Sequence, residues 1–528
     1  MNKTLIANPW LNEVVEQLDR LAVEFTHSHQ QFHTFNIANN DWSRCAEALN
    51  SIETRFSGLW ADQQDNAMLV TALFVFEKHY FVATTRLTQP PFELLSLSSV
   101  YPAANRMERH MKDLLGVKPL DSPDIRRWTR HQAWKNNEFP LTKEFPVKRE
   151  SQRITEGDSK YHFFQTQGSG VSEIPVGPIH AGIIEPGHYR FQIMGETVLN
   201  LEQRLGYTHK GIEKLAVGKS PDQLLKLAAR ISGDSAVTHA WAAAMAIEQA
   251  SSIIIPNRAS YLRAVLSERE RIANHIGDIG GICNDVGFAF ANSQCARLRE
   301  LWQRTNLSLF GHRLLMDTLC IGGVTVDINE EQLAILYEEL SAIDKDFSKL
   351  IDIIQDYPSL DDRLATTGYL PESTAKALGC LGYVGRASGQ DTEVRRDAPY
   401  PPYDKYQVQQ VLRNEGDVLC RLQIRVDEIR ASFKLLSALL HGLAQGEIKT
   451  STVNIKPASE NIGIVSGWRG ETLAFIRLDE FGNIARYFPR DASWLNWQAL
   501  EALIDNNIVA DFPVCNKSVN GSYSGVDL

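Results

Sequence analysis

The chain has 528 residues, of which 43% are hydrophobic and 22% are charged, and its formal net charge at pH 7 is -10. A chain of this length and ordinary globular composition has enough material for two or three domains with buried cores. The negative charge excludes a broad nucleic-acid-binding face, because binding to phosphates requires clustered lysine and arginine, so we expect no nucleic acid as a partner.

The N-terminal segment lacks the uninterrupted apolar core of a signal peptide, and no apolar run approaches the roughly 18 to 20 residues that span a bilayer. We therefore expect the chain to stay on the cytoplasmic side of the membrane and to touch it only through partner proteins. Seven cysteines are scattered along the sequence without the short spacings of zinc or cluster ligands. They predict isolated buried thiols and no iron-sulfur cluster in this chain.

The first 145 residues predict an α+β domain. Helical spacing runs from Asn12 to Ala22, residues 67–75 and 79–85 are typical of two paired strands, and a helix is expected after Tyr101-Pro102. Prolines and a polar run rich in glycine and serine then predict a linker over residues 146–175.

Residues 176–528 predict a second domain, mainly helical with small β-sheets, so that the fold class of the chain is α+β. Strand-like segments between residues 179 and 200 precede helical patterns, of which the longest cover 256–277, 293–318 and 414–444. The stretch 368–406 is rich in Gly, Pro, Arg and Asp and predicts an irregular segment. Alternation over 462–487, with a turn at 480–483, predicts a small sheet.

The most informative motif runs from Arg230 to Ser235 and is followed by His239 in an alanine-rich helical stretch. Taken alone, Gly233-Asp234-Ser235 is consistent with an ordinary turn or a helix N-cap. Its spacing also resembles the Arg-x-Cys-Gly-x-Cys hairpin with which the large subunits of nickel-iron hydrogenases hold nickel, but serines stand at both thiolate positions.

Further motifs, in one order along the chain, resemble a single superfamily. Tyr101–Arg109, with Asp113–Gly116 after it, resembles the 30-kDa subunit of NADH:quinone oxidoreductase (complex I). Gly177–His180, Tyr207–Lys214 and Gly385–Gly389 resemble its 49-kDa subunit and the related large subunits of energy-converting hydrogenases. Their order is similar to complex I chains that fuse both subunits and to the large subunit of formate hydrogenlyase and hydrogenase-4 complexes. The resemblance covers almost the whole chain.

In the hydrogenases of this superfamily, four thiolates in two pairs hold nickel. The corresponding positions here are Ser232 and Ser235 in the first hairpin and Ser522 and Gly525 near the C-terminus, while Cys515 lies outside the ligand positions. A neutral hydroxyl cannot replace a thiolate for a soft transition metal. We therefore predict that no metal, and no nickel-iron centre in particular, is bound by this chain.

The complex I relatives place a quinone head group in the vacated cavity, beside an iron-sulfur cluster of a neighbouring subunit. Their tyrosine and histidine donors correspond here to Gly233 and Pro186, with His180 and His188 nearby. Two-electron reduction of a quinone requires positioned proton donors. Both usual donors are thus replaced at their positions.

The resemblance implies three candidate catalytic residues. Asp285 matches an acidic position that lines the family's cavity, although a solvated or helix-capping carboxylate explains it equally well. His180 lies close to the replaced histidine. His239 is expected one turn beyond Ser235 on the same side of a helix, where a core histidine with satisfied hydrogen bonds is the alternative.

Candidate residues for a quinone-like cavity or a cluster-facing surface are Ser232, Gly233, Ser235, Arg230, Arg386 and Ser522. A buried arginine keeps its charge and offers a fork of donors, which suits a site next to a cluster or a reduced ligand. Structural ion pairing is an equally good explanation for Arg386 and Arg395, with Asp391, Glu393 and Asp397 close in sequence.

The resemblance implies a redox subunit of a membrane-associated oxidoreductase complex that is not active alone. Its partners would be a small iron-sulfur subunit like the 20-kDa subunit of complex I and antiporter-type membrane subunits. Electrons would pass from the partner's cluster to a quinone or a similar acceptor, coupled to ion translocation. NADH dependence follows only from the family, and because no Gly-x-Gly-x-x-Gly fingerprint opens a βαβ unit, any nicotinamide site belongs to another subunit.

A scaffold that only transmits conformational change within the same complex is the alternative. The quinone hypothesis predicts a quinone-sized cavity near Ser232, Asp285 and Ser522, whereas the scaffold hypothesis predicts a collapsed cavity or one lined by small polar groups. A true nickel hydrogenase is disfavoured by the four missing ligands.

Overall fold

The computed structural model describes residues 8–29, 31–148, 161–180 and 184–528. They form two compact units. The first contains the described residues up to Phe164 with the short segments Arg204–Tyr207 and Lys376–Gly379, and the second contains the rest. Residues 149–160 of the predicted linker lie outside the described residues, and the predicted domain limits remain predictions.

The first unit is built around a five-stranded sheet with the strand order β1-β2-β5-β4-β3, in which only the β2–β5 pair is parallel. Its helices and strands are α1 Pro9–Arg20, β1 Phe25–His29, β2 His33–Ile37, α2 Trp42–Asn50, β3 Arg55–Gln64, β4 Ala67–Phe76, β5 His79–Leu87, β6 Glu93–Leu95, α3 Asn105–Leu115 and β7 Lys118–Leu120. Residues 67–75 and 79–85 pair as antiparallel strands, as their apolar runs predicted. The helix after Tyr101-Pro102 is α3.

The second unit is mainly helical. Its elements are β8 Val171–Val176, β9 His188–Met194, β10 Thr197–Arg204, α4 Ile212–Ala216, α5 Pro221–Ala228, α6 Ala236–Ala250, α7 Asn257–Asp285, α8 Ala289–Phe310, β11 Leu319–Cys320, β12 Gly323–Val324, α9 Glu330–Gln355, α10 Pro358–Leu364, α11 Glu372–Ala377, α12 Gly382–Ala387, α13 Val394–Asp397, α14 Val418–His441, β13 Glu460–Gly467, β14 Gly470–Leu478, β15 Ile484–Arg490, α15 Ser493–Leu503, α16 Phe512–Val519 and α17 Tyr523–Asp527. A β-rich N-terminal region followed by a helical region with small sheets confirms the predicted fold class.

Four long helices, α7, α8, α9 and α14, pack against one another in this unit. The helix α7 continues eight residues beyond the predicted end at Gly277. Its glycines allow this length because they permit close packing: a Cβ on Gly280 would lie 2.7 Å from the Cβ of Cys295 on α8. No helix within the described ranges combines the length and apolarity needed to cross a bilayer.

The helix α6 lies on the sheet formed by β13, β14 and β15 and carries the serine hairpin at its N-terminal end. The close contact depends on Gly463 of β13, since a Cβ there would lie 2.1 Å from the carbonyl oxygen of Ala242 and 2.7 Å from the amide nitrogen of Ala246. Backbone atoms cannot give way as a flexible side chain does.

Replacing Gly463 with alanine is therefore expected to lower the free energy of unfolding by about 2 kcal/mol, because it overpacks the contact between helix and sheet. Urea unfolding followed by tryptophan fluorescence measures the change. The matched control is Gly233→Ala, where a Cβ would meet its nearest atoms at 3.5 and 3.6 Å, an ordinary contact distance. Equal losses for the two variants would contradict the packing argument.

Candidate functional site

The two hairpins singled out in the sequence meet in the second unit. Residues Gly233–Ser235 form one turn of 3-10 helix before α6, and Ser522 is the N-cap of α17, where its Oγ accepts a hydrogen bond from the Gly525 amide at 2.9 Å. The Oγ atoms of Ser232 and Ser522 lie 2.9 Å apart, and both residues are buried. The polypeptide thus brings the former thiolate positions together, with hydroxyl groups in contact.

An ion pair between buried Arg469 and half-buried Asp234 fixes the first hairpin. The guanidinium of Arg469, in the turn between β13 and β14, donates to both carboxylate oxygens of Asp234 at 3.1 and 2.6 Å, and its Nε donates to the carbonyl of Asn520 at 2.7 Å. Ser232 donates to the same carboxylate at 2.5 Å. Burial opposes ionisation of Asp234, but the charge and hydrogen bonds of Arg469 outweigh it and lower the pKa of this carboxyl group. Arg469 therefore ties both hairpins to one charged group.

The Ser235 hydroxyl, at the second thiolate position, is also occupied. It accepts hydrogen bonds from Nε1 of Trp468 at 3.1 Å and from the guanidinium of Arg469 at 3.3 Å. The turn that carries Trp468 and Arg469 packs directly against Gly382. A Cβ on residue 382 would lie 2.1 Å from the Arg469 carbonyl oxygen, so this close contact requires glycine. Trp468 and Arg469 were not among the candidates from sequence.

His239 lies on α6 one turn beyond Ser235 and belongs to a second buried chain of hydrogen bonds. Its Nε2 is 3.1 Å from Oδ2 of Asp491, whose Oδ1 accepts from the Ser493 amide and hydroxyl at 2.8 and 2.5 Å. Ser493 in turn accepts from the Ser522 amide at 2.8 Å. Burial raises the pKa of Asp491, but the hydrogen bond from His239 and nearby Arg469 dominate and hold it well below its usual range. An ionised Asp491 orients the imidazole.

Other candidates from sequence lie away from this network. Arg230 is half exposed and forms a bidentate ion pair with Asp317, both distances being 2.7 Å. Asp285 is exposed at the C-terminal end of α7. His180, on the loop before β9, contacts Tyr189 at a ring distance of 5.8 Å, and its Nε2 donates to the Gly187 carbonyl oxygen at 2.8 Å.

Arg386 and Arg395 belong to a separate buried cluster. Arg386 pairs with Glu428 and, at 3.4 Å, with Glu393, while Arg395 pairs with Glu393 at 3.0 Å and with Glu268 at 2.7 Å. Among the acids close in sequence, Glu393 is thus the partner of both arginines. Structural ion pairing therefore accounts for the contacts of Arg386 and Arg395.

The donor set between the hairpins does not fit nickel. It offers neutral hydroxyls and a glycine in place of four soft anionic sulfurs, and the cationic Arg469 donates to Ser235 within it. No group of three or more His, Cys, Asp or Glu side chains with metal-site geometry occurs in the part of the chain that the structure describes. We therefore derive no chemical step through a nickel-iron centre.

Two cavities are relevant to the question of whether a ligand can bind near the candidate residues. One borders Gly233 and Asp234 together with Glu270 and Asn274, and its volume of about 10 Å³ holds about one water molecule. The other has a volume of about 210 Å³ and is lined by Arg386, Glu428 and other residues of the separate cluster. In the described conformation, direct contact between Ser232 and Ser522 closes the space between the hairpins.

The chain consists of a β-rich unit and a mainly helical unit with small sheets, and two hairpins meet in the second unit. Three family models match the chain: "Respiratory-chain NADH dehydrogenase, 30 Kd subunit" over residues 35–151, "Nickel-dependent hydrogenase" over residues 210–277, and "Respiratory-chain NADH dehydrogenase, 49 Kd subunit" over residues 285–464. Their order is the one expected for a fused chain.

Curated relatives extend this similarity. Formate hydrogenlyase subunit 5 of Escherichia coli K12 is 27% identical over 82% of this chain and 77% of its own length. Hydrogenase-4 component G of the same organism is 29% identical over 85% of this chain and 79% of its own length. In fold, the chain is similar to one chain of a solved archaeal membrane-bound sulfane sulfur reductase, with a TM-score of 0.65 and 23% identity, covering 69% of this chain and 100% of that one. The chain is thus similar to fused 30-kDa/49-kDa-type subunits of complex I, to the large subunits of hydrogenase-4 and formate hydrogenlyase, and to nickel-dependent hydrogenases.

Proposed function

We propose that this chain is the redox subunit of a membrane-associated complex of the complex I and energy-converting hydrogenase type, in which electrons reach a quinone or a similar organic acceptor. The observation that carries the proposal is the donor set at the hairpins, in which the Ser232, Ser235 and Ser522 hydroxyls and the Arg469 guanidinium stand where thiolates would otherwise hold nickel. An organic acceptor requires hydrogen-bond donors rather than soft metal ligands.

The partners follow from the same proposal. A small iron-sulfur subunit would hold the cluster that delivers electrons, antiporter-type membrane subunits would couple the reaction to ion translocation, and any NADH site would lie on another subunit. The relatives named formate hydrogenlyase subunit 5 and hydrogenase-4 component G support this class of complex.

The chemistry available at the hairpins is proton donation. Reduction of a quinone by two electrons takes up two protons, which positioned side chains supply. His239 is held by the ionised Asp491, and its Nδ1 is buried with no hydrogen-bond partner among the described residues. Hydrogen bonds connect the second hairpin to the pair of His239 and Asp491: the Ser522 amide donates to the Ser493 hydroxyl, which donates to Asp491. The Ser522 hydroxyl in turn contacts the Ser232 hydroxyl. If the two hairpins moved apart, a quinone carbonyl placed between them would meet these donors.

A second candidate function is a scaffold that transmits conformational change within the same complex. The closed contact between Ser232 and Ser522 and the small volume beside Gly233 favour it, because they leave no room for a quinone head group in the described conformation. The scaffold needs no proton donor at His239.

Quinone chemistry is tested on the purified complex with a photoreactive quinone analogue and with His239→Gln. We expect cross-linked peptides from the hairpins around Ser232 and Ser522, and a fall in quinone reduction of about 100-fold, the usual contribution of a general acid. The control is His441→Gln, at the exposed end of α14, where the rate should not change. Unchanged turnover in His239→Gln, with no cross-link at the hairpins, would favour the scaffold instead.

A further inference from the structure

A cavity large enough to hold several water molecules, called the hydrated cavity below, reaches the buried charges of the helical bundle. Its volume is about 210 Å³, and it is lined by one face of α14, which includes Glu428, Ala431 and Ala438, and by the extended segment 407–411. Both amide atoms of the Gln410 side chain are buried and lack a hydrogen-bond partner among the described residues. Buried amides without protein partners are usually satisfied by water, and a cavity of this volume has room for several water molecules.

Glu428 connects the cavity with the core. One of its carboxylate oxygens pairs with Arg386, and the other lies 2.8 Å from Nε2 of His275 on α7. His275 is fully buried, and its Nδ1 has no hydrogen-bond partner within the described residues. The imidazole therefore has one nitrogen bound to Glu428, which lines the cavity, and one buried nitrogen without a partner among the described residues.

The charges around His275 keep its ring neutral. Burial and the four arginines packed around it, Arg425, Arg271, Arg386 and Arg395, hold the pKa of His275 well below its usual value. Glu428 is the carboxylate that faces the ring. A neutral imidazole carries a proton on one nitrogen and a lone pair on the other, which is the state that passes protons in either direction.

On the core side, His275 approaches the serine hairpins. Its ring lies 5.8 Å from the rings of both Tyr383 and Trp468. Trp468 in turn donates to the Ser235 hydroxyl at 3.1 Å. One indole ring thus separates His275 from the first hairpin.

We propose that Glu428 and His275 form a proton relay between the hydrated cavity and the core beside the serine hairpins. In the inward direction, the protonated carboxyl of Glu428 gives its proton to Nε2, and Nδ1 releases its own proton to a water molecule or to the reduced organic acceptor. One O–H and one N–H bond break, one of each forms, and no electrons move. The purpose of the relay rests on the proposed function, whereas its existence does not.

The relay is tested by hydrogen-deuterium exchange at the C2 position of each histidine, measured by mass spectrometry on the full chain in D2O. This exchange requires a ring nitrogen to be protonated and C2 to meet deuteroxide, so it reports access of each ring to solvent. His239 is the internal reference, because it is equally buried, is bound to Asp491 through Nε2 and also has an unpartnered Nδ1. Asp491 is not among the residues that line the large cavity.

Filling the cavity with Ala438→Leu is expected to slow exchange at His275 several-fold and to leave His239 unchanged. The matched control is Ser437→Leu, which adds a similar side chain at the next position of α14, outside the cavity lining. Gln410→Leu, which removes the water-binding amide without touching α14, provides a second variant should Ala438→Leu fail to fold.

The relay is overturned if neither cavity variant slows exchange at His275 more than it slows exchange at His239. Because the measurement requires no turnover and no quinone, a negative result here leaves the proposed function standing. Equally, failure of the quinone experiment leaves the relay standing.

Discussion

Replacing Arg469 with methionine is expected to lower the free energy of unfolding of the second unit by about 2 kcal/mol, between the cost of an exposed and of a fully buried ion pair, because the Asp234 side chain is 30% exposed. Arg469 is 4% exposed and contacts both hairpins, through Asp234 and through the Asn520 carbonyl. Methionine retains much of the length but leaves the half-buried Asp234 carboxylate without a counter-charge. Urea unfolding followed by tryptophan fluorescence measures the loss.

The loss should depend on pH. In the natural chain Arg469 lowers the pKa of Asp234 despite burial, so its stabilising contribution is present above the unfolded pKa of aspartate and is lost as the pH falls through the folded pKa. In the variant, burial alone raises the pKa of this carboxyl group, and stability decreases as the pH rises. The deficit is therefore expected to be larger at pH 8 than at pH 5.

The matched control for Arg469 is Arg230→Met. Arg230 forms a bidentate pair with Asp317, but its side chain is 47% exposed, and pairs of this kind contribute only about 0–1 kcal/mol. Adding Asp234→Asn to Arg469→Met should restore part of the stability, since the uncompensated charge is removed. Equal losses for Arg469→Met and Arg230→Met would show that the hairpins are held by something other than this ion pair.

Replacing Arg395 with methionine is expected to cost about 5 kcal/mol at pH 8, the upper end for a buried pair, because two carboxylates lose their partner. Arg395 donates to Glu268 at 2.7 Å and to both oxygens of Glu393 at 3.0 and 3.1 Å, and all three residues are buried. Burial raises the pKa of each glutamate, but Arg395 outweighs it, and the pKa values of Glu268 and Glu393 are lowered.

These lowered pKa values give the sign of the pH dependence. The pairs stabilise the natural chain above the unfolded pKa of glutamate, and the contribution is lost as the pH falls. In the variant, burial without Arg395 raises the pKa of both glutamates, so they take up protons as the pH falls from 8 to 5, and the cost of Arg395→Met should shrink over this range. The neighbouring Arg396→Met is the control, because Arg396 pairs with Asp391 and Asp397 at the surface and should cost less than about 1 kcal/mol. A cost for Arg395→Met that is independent of pH would contradict the assignment of charge to the two glutamates.

Local patterns in the sequence predicted much of the fold. The apolar runs of β4 and β5 and the helical spacing of α14 are signals that lie within a few residues. The end of α7 could not be predicted in this way, because glycine normally weakens a helix. Only the contact of Gly280 with Cys295 on α8 explains why the helix continues.

The candidate site was predicted in part. Motif spacing identified Ser232, Ser235, Ser522 and Gly525, and the structure brings the two hairpins together. Motif spacing did not indicate Arg469 or Asp491, because both residues act through contacts between distant parts of the chain. Arg469 lies 235 positions from Asp234 in the sequence, and Asp491 lies 252 positions from His239. Such pairs become visible only when the fold places them side by side.

A network of hydroxyls and an ion pair joins the two hairpins, and we expect it to leave no nickel site between them. The most direct measurement is elemental analysis of the purified complex, produced with nickel in the growth medium, for the natural chain and for Ser522→Ala. We expect far less than one nickel per chain in both proteins. One nickel per chain in the natural complex, lost in Ser522→Ala, would contradict the account.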